Sequence, residues 1–174
     1  MEHPVPGEDA FARFYEATAA AIRAYILRHC SDRDSADDLL QTTYIKFLGS
    51  PMASTPQAPQ ARAYLYRIAS NVIADHGRAL SRRKRFETPK REFTEAASAA
   101  RFADDISLRD ALATLSKREQ QMLWLLYGEG FAHAEVARIM NLGRASVRVL
   151  AFRARKKLKA RLAGSHPTGS EVAE

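Results

Sequence analysis

One stretch, "FAHAEVARIMNLGRASVRVL" (Phe131–Leu150), restricts the fold more than any other. Val136 and Met140 lie four apart, the spacing of an inward helix face. Ala137 is small, where a second helix must approach closely. Asn141 stands at the turn, which needs positive φ; Asn tolerates that left-handed region better than other non-glycine residues. Leu142 and Val147 complete a small core. This is the layout of a helix-turn-helix.

The second helix continues as "GRASVRVLAFRARKKLKARL", Gly143 to Leu162, with eight basic residues and no acid. Val147, Leu150, Ala151, Ala154, Leu158 and Leu162 recur at three- and four-residue steps and define its apolar face. A solvated surface helix usually mixes charge signs, because oppositely charged residues four apart support it. Uniform positive charge calls for a polyanion. In a helix-turn-helix the second helix enters the major groove and its first turns reach base edges. Arg144, Ser146, Arg148 and Val149 are therefore expected to face bases. Arg153, Lys156 and Lys157 are expected nearer phosphates, where they hold register without reading sequence.

The formal net charge of +7 is unevenly spread. Pro51–Arg91 and Glu129–Ala163 each carry +7, whereas Met1–Ser50 carries −3 and Glu92–Gly128 carries −2. Two basic blocks separated by acidic ones imply two polyanion contacts. The chain has 174 residues, 8 Gly and 7 Pro, with abundant Ala, Leu and Arg and few β-branched runs, so we expect an all-α fold. Its organisation reads as a helical domain over 1–85, a flexible linker over 86–105, a helix-turn-helix domain over 106–163 and a disordered tail over 164–174. The single cysteine, Cys30, excludes an internal disulfide and fits a reducing, cytoplasmic setting. No apolar stretch is long enough to span a membrane.

In the first domain a helix is expected from Asp9 to His29, with Phe11, Phe14, Tyr15, Ile22, Tyr25 and Ile26 inward. Thr18 fits the same stripe, its hydroxyl bonding back to a carbonyl one turn earlier. Ser35 with Asp38 has the spacing of a capping box opening "ADDLLQTTYIKFL". On that second helix Leu40, Tyr44, Phe47 and Leu48 form an apolar face. Asp37 points along it from the first turn, where a carboxylate suits the helix dipole. "GSPMASTPQAPQ" is a loop. A third helix starts near Gln60 and ends in "RRKR", Arg82–Arg85. Its inward residues are Leu65, Ile68, Ala69 and Val72; Tyr64, Arg67, Asn71, Asp75 and Arg78 fall on the other side. In the second domain Ser107/Asp110 and Ser116/Glu119 also have capping-box spacing.

Three stretches together resemble the extracytoplasmic-function (ECF) group of sigma-70 factors of bacterial RNA polymerase. "SADDLLQTTYIKFL" is similar to the group's polymerase-docking helix. "ARAYLYRIASNVIADHGR" is similar to the segment that recognises and melts the −10 element. "ALATLSKREQQMLWLLYGEGFAHAEVARIMNLGRASVRVLAFRARKKL" is similar to the domain that binds the −35 element. The likeness spans about Asp9 to Leu162, in order and spacing. It implies two small helical domains, no enzymatic activity, and core polymerase, promoter DNA and often an anti-sigma factor as partners. Docking on the polymerase β′ clamp helices would use Asp37, Asp38, Leu40, Gln41, Tyr44 and Phe47, with a further contact to the β flap. The −10 contacts would fall to Arg62, Asn71, Arg78, Arg82, Arg83 and Lys84. Core packing is the competing role for Tyr44 and Phe47, and for Tyr64. Asp75, awkward near phosphates, is expected to make a structural hydrogen bond.

The chain departs from the group's pattern at Leu150, where many relatives are basic or polar, and at Arg144 and Ala145, where small residues are common. Its −35 preference is therefore not transferable. No cofactor, metal site or catalytic constellation is expected: His29–Cys30 has no second ligand pair, and adjacent Asp37 and Asp38 diverge by about 100° on a helix. His76 and His133 are expected at the surface, and Trp124 in the core. The competing function is a dimeric helix-turn-helix repressor or activator that is not a polymerase subunit.

Overall fold

The computed structural model describes residues 8–30, 34–84 and 106–164. These form α1 (Glu8–His29), α2 (Ala36–Leu48), a 3₁₀ turn (Pro51–Ser54), α3 (Pro59–Lys84), α4 (Ile106–Ala113), α5 (Lys117–Leu123), a π turn (Trp124–Gly128), α6 (His133–Ile139) and α7 (Arg144–Gly164). No strand occurs among the described residues. The linker expected over 86–105 lies outside them, and so does the tail expected over 164–174, apart from Gly164, which ends α7.

In the first half α1, α2 and α3 pack on one another. Their shared core holds Ile22, Tyr25, Ile26, Phe47, Leu65 and Ala69, each fully buried. Thr18 behaves as its spacing suggests: Oγ1 donates to the Phe14 carbonyl at 2.6 Å and also bonds the Tyr44 hydroxyl at 2.8 Å. Burial pushes the Tyr44 phenol up to about 12, so it remains a neutral partner.

One expected cap does not form, and the Ser107 side chain of another lies outside the described residues. Ser35 precedes α2 but its side chain makes no cap hydrogen bond, because its backbone is already helical (φ −79°, ψ −8°) rather than extended. Ser107 lies inside the first turn of α4, which begins at Ile106. The third box is complete: Ser116 Oγ accepts from the Glu119 N–H, and Glu119 Oε2 accepts from the Ser116 N–H at 2.9 Å.

In the second half α7 is the spine on which α4, α5 and α6 lie. Val147, Ala151 and Ala154 are buried along it, and Leu150, Leu158 and Leu162 half-buried, as the apolar periodicity requires. The π turn was not visible in the sequence. The Glu129 and Phe131 N–H groups donate to the Trp124 and Leu125 carbonyls, which widens the coil. Trp124, Leu125 and Leu126 within it are all buried, continuing the buried run of Met122 and Leu123 at the end of α5. Gly130 then turns the chain at φ +73°, a left-handed conformation that costs a glycine little.

Gly77 sits within α3, and a Cβ there would meet nothing within 4 Å. Gly77→Ala is therefore expected to stabilise the protein by about 1 kcal/mol, through helix propensity alone. Thermal melting should rise by about 2–4 °C; an unchanged or lower midpoint would contradict the helical role of this position.

Candidate nucleic-acid and polymerase interfaces

The helix-turn-helix forms as the spacing demands. Asn141 adopts φ +51°, and the Leu142 N–H closes the turn on the Ala137 carbonyl at 2.8 Å. Val136 and Val147 are fully buried across it, and Ala137 is 5% exposed. At the start of α6 the Glu135 carboxylate accepts from the Ala132 N–H at 2.8 Å. Ala132 has no side-chain acceptor, so this is half a capping box.

Arg144, Ser146, Arg148, Val149, Arg153 and Lys156 are all exposed on α7. Phe152, 61% exposed, was missed by the sequence reading. Its three- and four-residue steps from Val149, Arg148 and Lys156 place all four on one outward face, and that spacing was the available signal. Lys157 is not simply a free phosphate contact: its Nζ bonds Glu119 Oε1 at 2.7 Å. That bond, first, and the Ser116 donors hold the Glu119 carboxyl below its usual range despite partial desolvation.

On α3, Asn71, Arg82 and Arg83 are exposed. Arg78 is also exposed and is paired with Asp75, the structural partner expected for that acid. The side chain of Lys84 lies outside the described residues. Tyr64 is half-buried against Phe47, covering the rim of the core.

Arg62 requires a correction. It is not part of the outward track. Its Nη2 donates to Glu129 Oε2 at 2.7 Å, and both Nη atoms reach the Glu129 carbonyl at 3.2 Å. Its guanidinium lies 4.4 Å from the centre of the Phe131 ring and 5.3 Å from that of Tyr66. A delocalised, weakly hydrated guanidinium suits such a contact with two mutually packed rings better than an ammonium does. Arg62 therefore joins the two halves.

On α2 the expected docking set divides. Tyr44 and Phe47 are core residues, 5% and 0% exposed, and Phe47 stacks on Phe14 at 4.9 Å. Leu40 is half-buried. Asp37 does not follow the apolar face; it is exposed and bonds Arg23 Nε at 2.8 Å. Leu48, expected inward, is 50% exposed, and Ile45 is 61% exposed. The inward places go to Leu39 and Thr43. Asp38, Gln41, Ile45 and Leu48 follow one another at three- and four-residue steps, so one outward face combines acid, amide and apolar groups.

The halves meet along a seam. Tyr66 packs edge-on to Phe131 at 5.0 Å, Arg28 lies over the Trp124 ring at 4.6 Å, and Gln121 Nε2 donates to the Tyr25 hydroxyl at 2.6 Å. Trp124 is buried, and its Nε1 donates to Glu129 Oε1 at 2.9 Å. His133 is exposed. His76, expected at the surface, instead has Nε2 buried and without a hydrogen-bond partner. Cys30 is half-buried. Among the described residues no cluster could hold a metal ion, and no helix is long and apolar enough to cross a membrane.

Comparison with known proteins agrees with this anatomy. Residues 14–83 match sigma-70 region 2, and residues 105–158 match sigma-70 region 4. The ECF RNA polymerase sigma factor BldN of Streptomyces coelicolor is 30% identical over 167 residues, covering 91% of this chain and 62% of BldN. The ECF sigma factor SigL of Mycobacterium tuberculosis is 28% identical, covering 77% of this chain and 78% of SigL. In fold the chain is similar to the sigma factor RpoE of Bartonella quintana, solved in complex with the anti-sigma factor NepR: TM-score 0.75, 22% identity, 91% of this chain and 99% of that one. It is also similar to CnrH, solved with the cytosolic domain of CnrY: TM-score 0.62, 21% identity, 91% of each chain. With both region matches in order over a helical fold of two halves, the chain belongs to the sigma-70 family, in its extracytoplasmic-function group.

Proposed function

We propose that this protein directs transcription initiation as a promoter-specificity subunit of RNA polymerase, with no enzymatic activity of its own and a cytoplasmic site of action. The observation that carries the reading is the separation of exposed cations onto two helices, one in each half, beside a third helix with a mixed acidic and apolar outward face. A duplex-binding repressor needs only one such cationic surface. The Asp38–Gln41–Ile45–Leu48 face would dock on core polymerase. Asn71, Arg78, Arg82, Arg83 and Lys84 would hold the parted strand at −10, where a positive groove suits single-stranded DNA. The amino-terminal turns of α7 would read the −35 duplex, with Arg153 and Lys156 on phosphates. An anti-sigma protein is a proposed partner, as the RpoE and CnrH structures were each solved with a second protein.

Promoter elements named −35 and −10 are separated by roughly 70–85 Å of duplex at 3.4 Å per base pair. A folded body of this length has a radius of gyration of about 16 Å. The halves must therefore part to reach both elements. Residues 85–105, if fully extended, reach about 70 Å, which permits it. The seam is thus a resting arrangement.

Reconstitution with core polymerase tests the reading. Strand opening at selected promoters is the expected result; tight binding of a symmetric operator by the protein alone, without polymerase association, would favour the repressor instead. Asp38→Ala should weaken polymerase binding while sparing duplex binding by the second half; equal losses in both assays would count against the docking face. Arg148→Ala should weaken −35 binding about tenfold and relax its base preference, the scale of one bidentate base contact. An unchanged preference would remove Arg148 from the reading set.

A further inference from the structure

The outward face of α7 carries an apolar line. Ala145, Val149, Phe152 and Lys156 follow one another at steps of four, three and four residues, so they stack along one side of the helix. Ala145, Val149 and Phe152 are all exposed. The opposite side holds the buried Val147, Ala151 and Ala154, so this line takes no part in the core. At 100° per residue Arg148 and Arg153 fall on its two flanks, both exposed, and α7 contains no acid. A bare apolar line inside a cationic surface marks a contact site. A second copy of the chain fits it poorly, because pairing two such faces would set arginine against arginine. A polyanion with an apolar feature of its own fits both the line and its flanks.

Duplex DNA has such a feature in its major groove, the C5-methyl group of thymine. Adenine, guanine and cytosine present donors and acceptors there, and an apolar side chain laid on them strips water without returning a hydrogen bond. We propose that Val149 and Phe152 read the methyl groups of a short thymine run in the −35 duplex. Ala145, small and nearest the reading end, lets the helix approach the base edges closely. Phe152, farther from that end, has the longer reach. From Ala145 to Phe152 the line is about 10 Å long, which is about three base-pair steps. The inference rests on the reading of α7 as the −35 helix and adds its base chemistry. An arginine forks onto guanine, whereas this line selects thymine.

The experiment uses the full chain assembled with core polymerase. A promoter library randomised across the −35 region gives the preferred site. Each thymine of that site is then replaced singly by deoxyuridine, which differs only in lacking the methyl group. Binding should weaken about fourfold at each contacted thymine, the scale of one buried methyl. Deoxyuridine outside the element should have no effect. Val149→Ser with Phe152→Ser should abolish the sensitivity, while the library still selects the bases met by Arg148. Both positions are exposed, so the double variant should melt at the wild-type temperature, which shows that folding is intact. A preferred site without thymine, full-strength binding of every deoxyuridine site, or wild-type deoxyuridine sensitivity in the double variant would each overturn the proposal. Sedimentation of the free protein covers the rival occupant: a dimer that the double variant abolishes, with no deoxyuridine sensitivity, would assign the line to a second copy. If the library yields no preferred −35 site at all, the promoter reading of α7 fails and this inference with it.

Discussion

Acidification from pH 6.5 to 4.5 is expected to remove roughly 2–3 kcal/mol of folding stability through His29 alone. Enclosure of the imidazole pushes its ionisation down to about 3, with Arg28 and Lys117 adding repulsion. Among the described residues the charged groups facing it are Arg28 on its own helix and Lys117 and Arg118 on α5; His76 lines the same cavity as His29, and Tyr25 packs on the ring at 4.9 Å. The sign follows from proton binding. An unfolded histidine takes up a proton near 6.5, whereas the folded one stays neutral until about 3. The unfolded chain therefore binds more protons throughout this window, so stability is complete above 6.5 and declines as pH falls. Urea unfolding at several pH values measures the slope, and His29→Gln should flatten most of it. A wild-type slope in the variant would assign the acid sensitivity elsewhere. The Glu119 carboxyl is held below its ordinary range and loses its contribution further toward acid, so the upper window isolates the histidine.

Replacing Glu129 by Ala is expected to cost about 2–3 kcal/mol and to loosen the seam. The carboxylate side chain is only 6% exposed and serves two donors, Trp124 Nε1 and Arg62 Nη2. Its removal strands a buried indole N–H, which costs about 1–3 kcal/mol. The Arg62 pair adds less, because that side chain is 42% exposed and solvent screens it. Chemical unfolding reads the stability, and small-angle scattering reads the separation of the halves. The variant should show a larger radius of gyration and stronger promoter engagement with polymerase, since Arg62 and the α3–α6 contact are released together. Unchanged scattering with unchanged stability would show that Glu129 does not hold the halves.

Much of this architecture was legible as local chemistry. The helix-turn-helix followed from one asparagine at a left-handed turn between two apolar steps, and the Ser116–Glu119 box from spacing alone. Asp75, an acid in a basic stretch, announced its own partner, Arg78. Periodicity was weaker on α2. There Leu48 and Leu40 were grouped with Tyr44 and Phe47 by apolar character, yet α1 and α3 enclose only part of that arc and leave Leu48 outside. Ile45 was overlooked because an apolar residue outside the stripe has no sequence mark until its surroundings are known. Arg62 was assigned to DNA by likeness, and nothing in its neighbours named an acceptor 67 positions away.

Helical identity, the two cationic faces and the turn at Asn141 were determined by the sequence itself, because capping, periodicity and charge act over a few residues. The seam was decided only by the tertiary structure. It depends on Glu129, Phe131 and Trp124 meeting Arg62, Tyr66 and Arg28, and on two histidines from separate helices sharing one cavity. Such contacts carry no local periodic signature; their physical basis is burial and pairing between segments far apart in the chain.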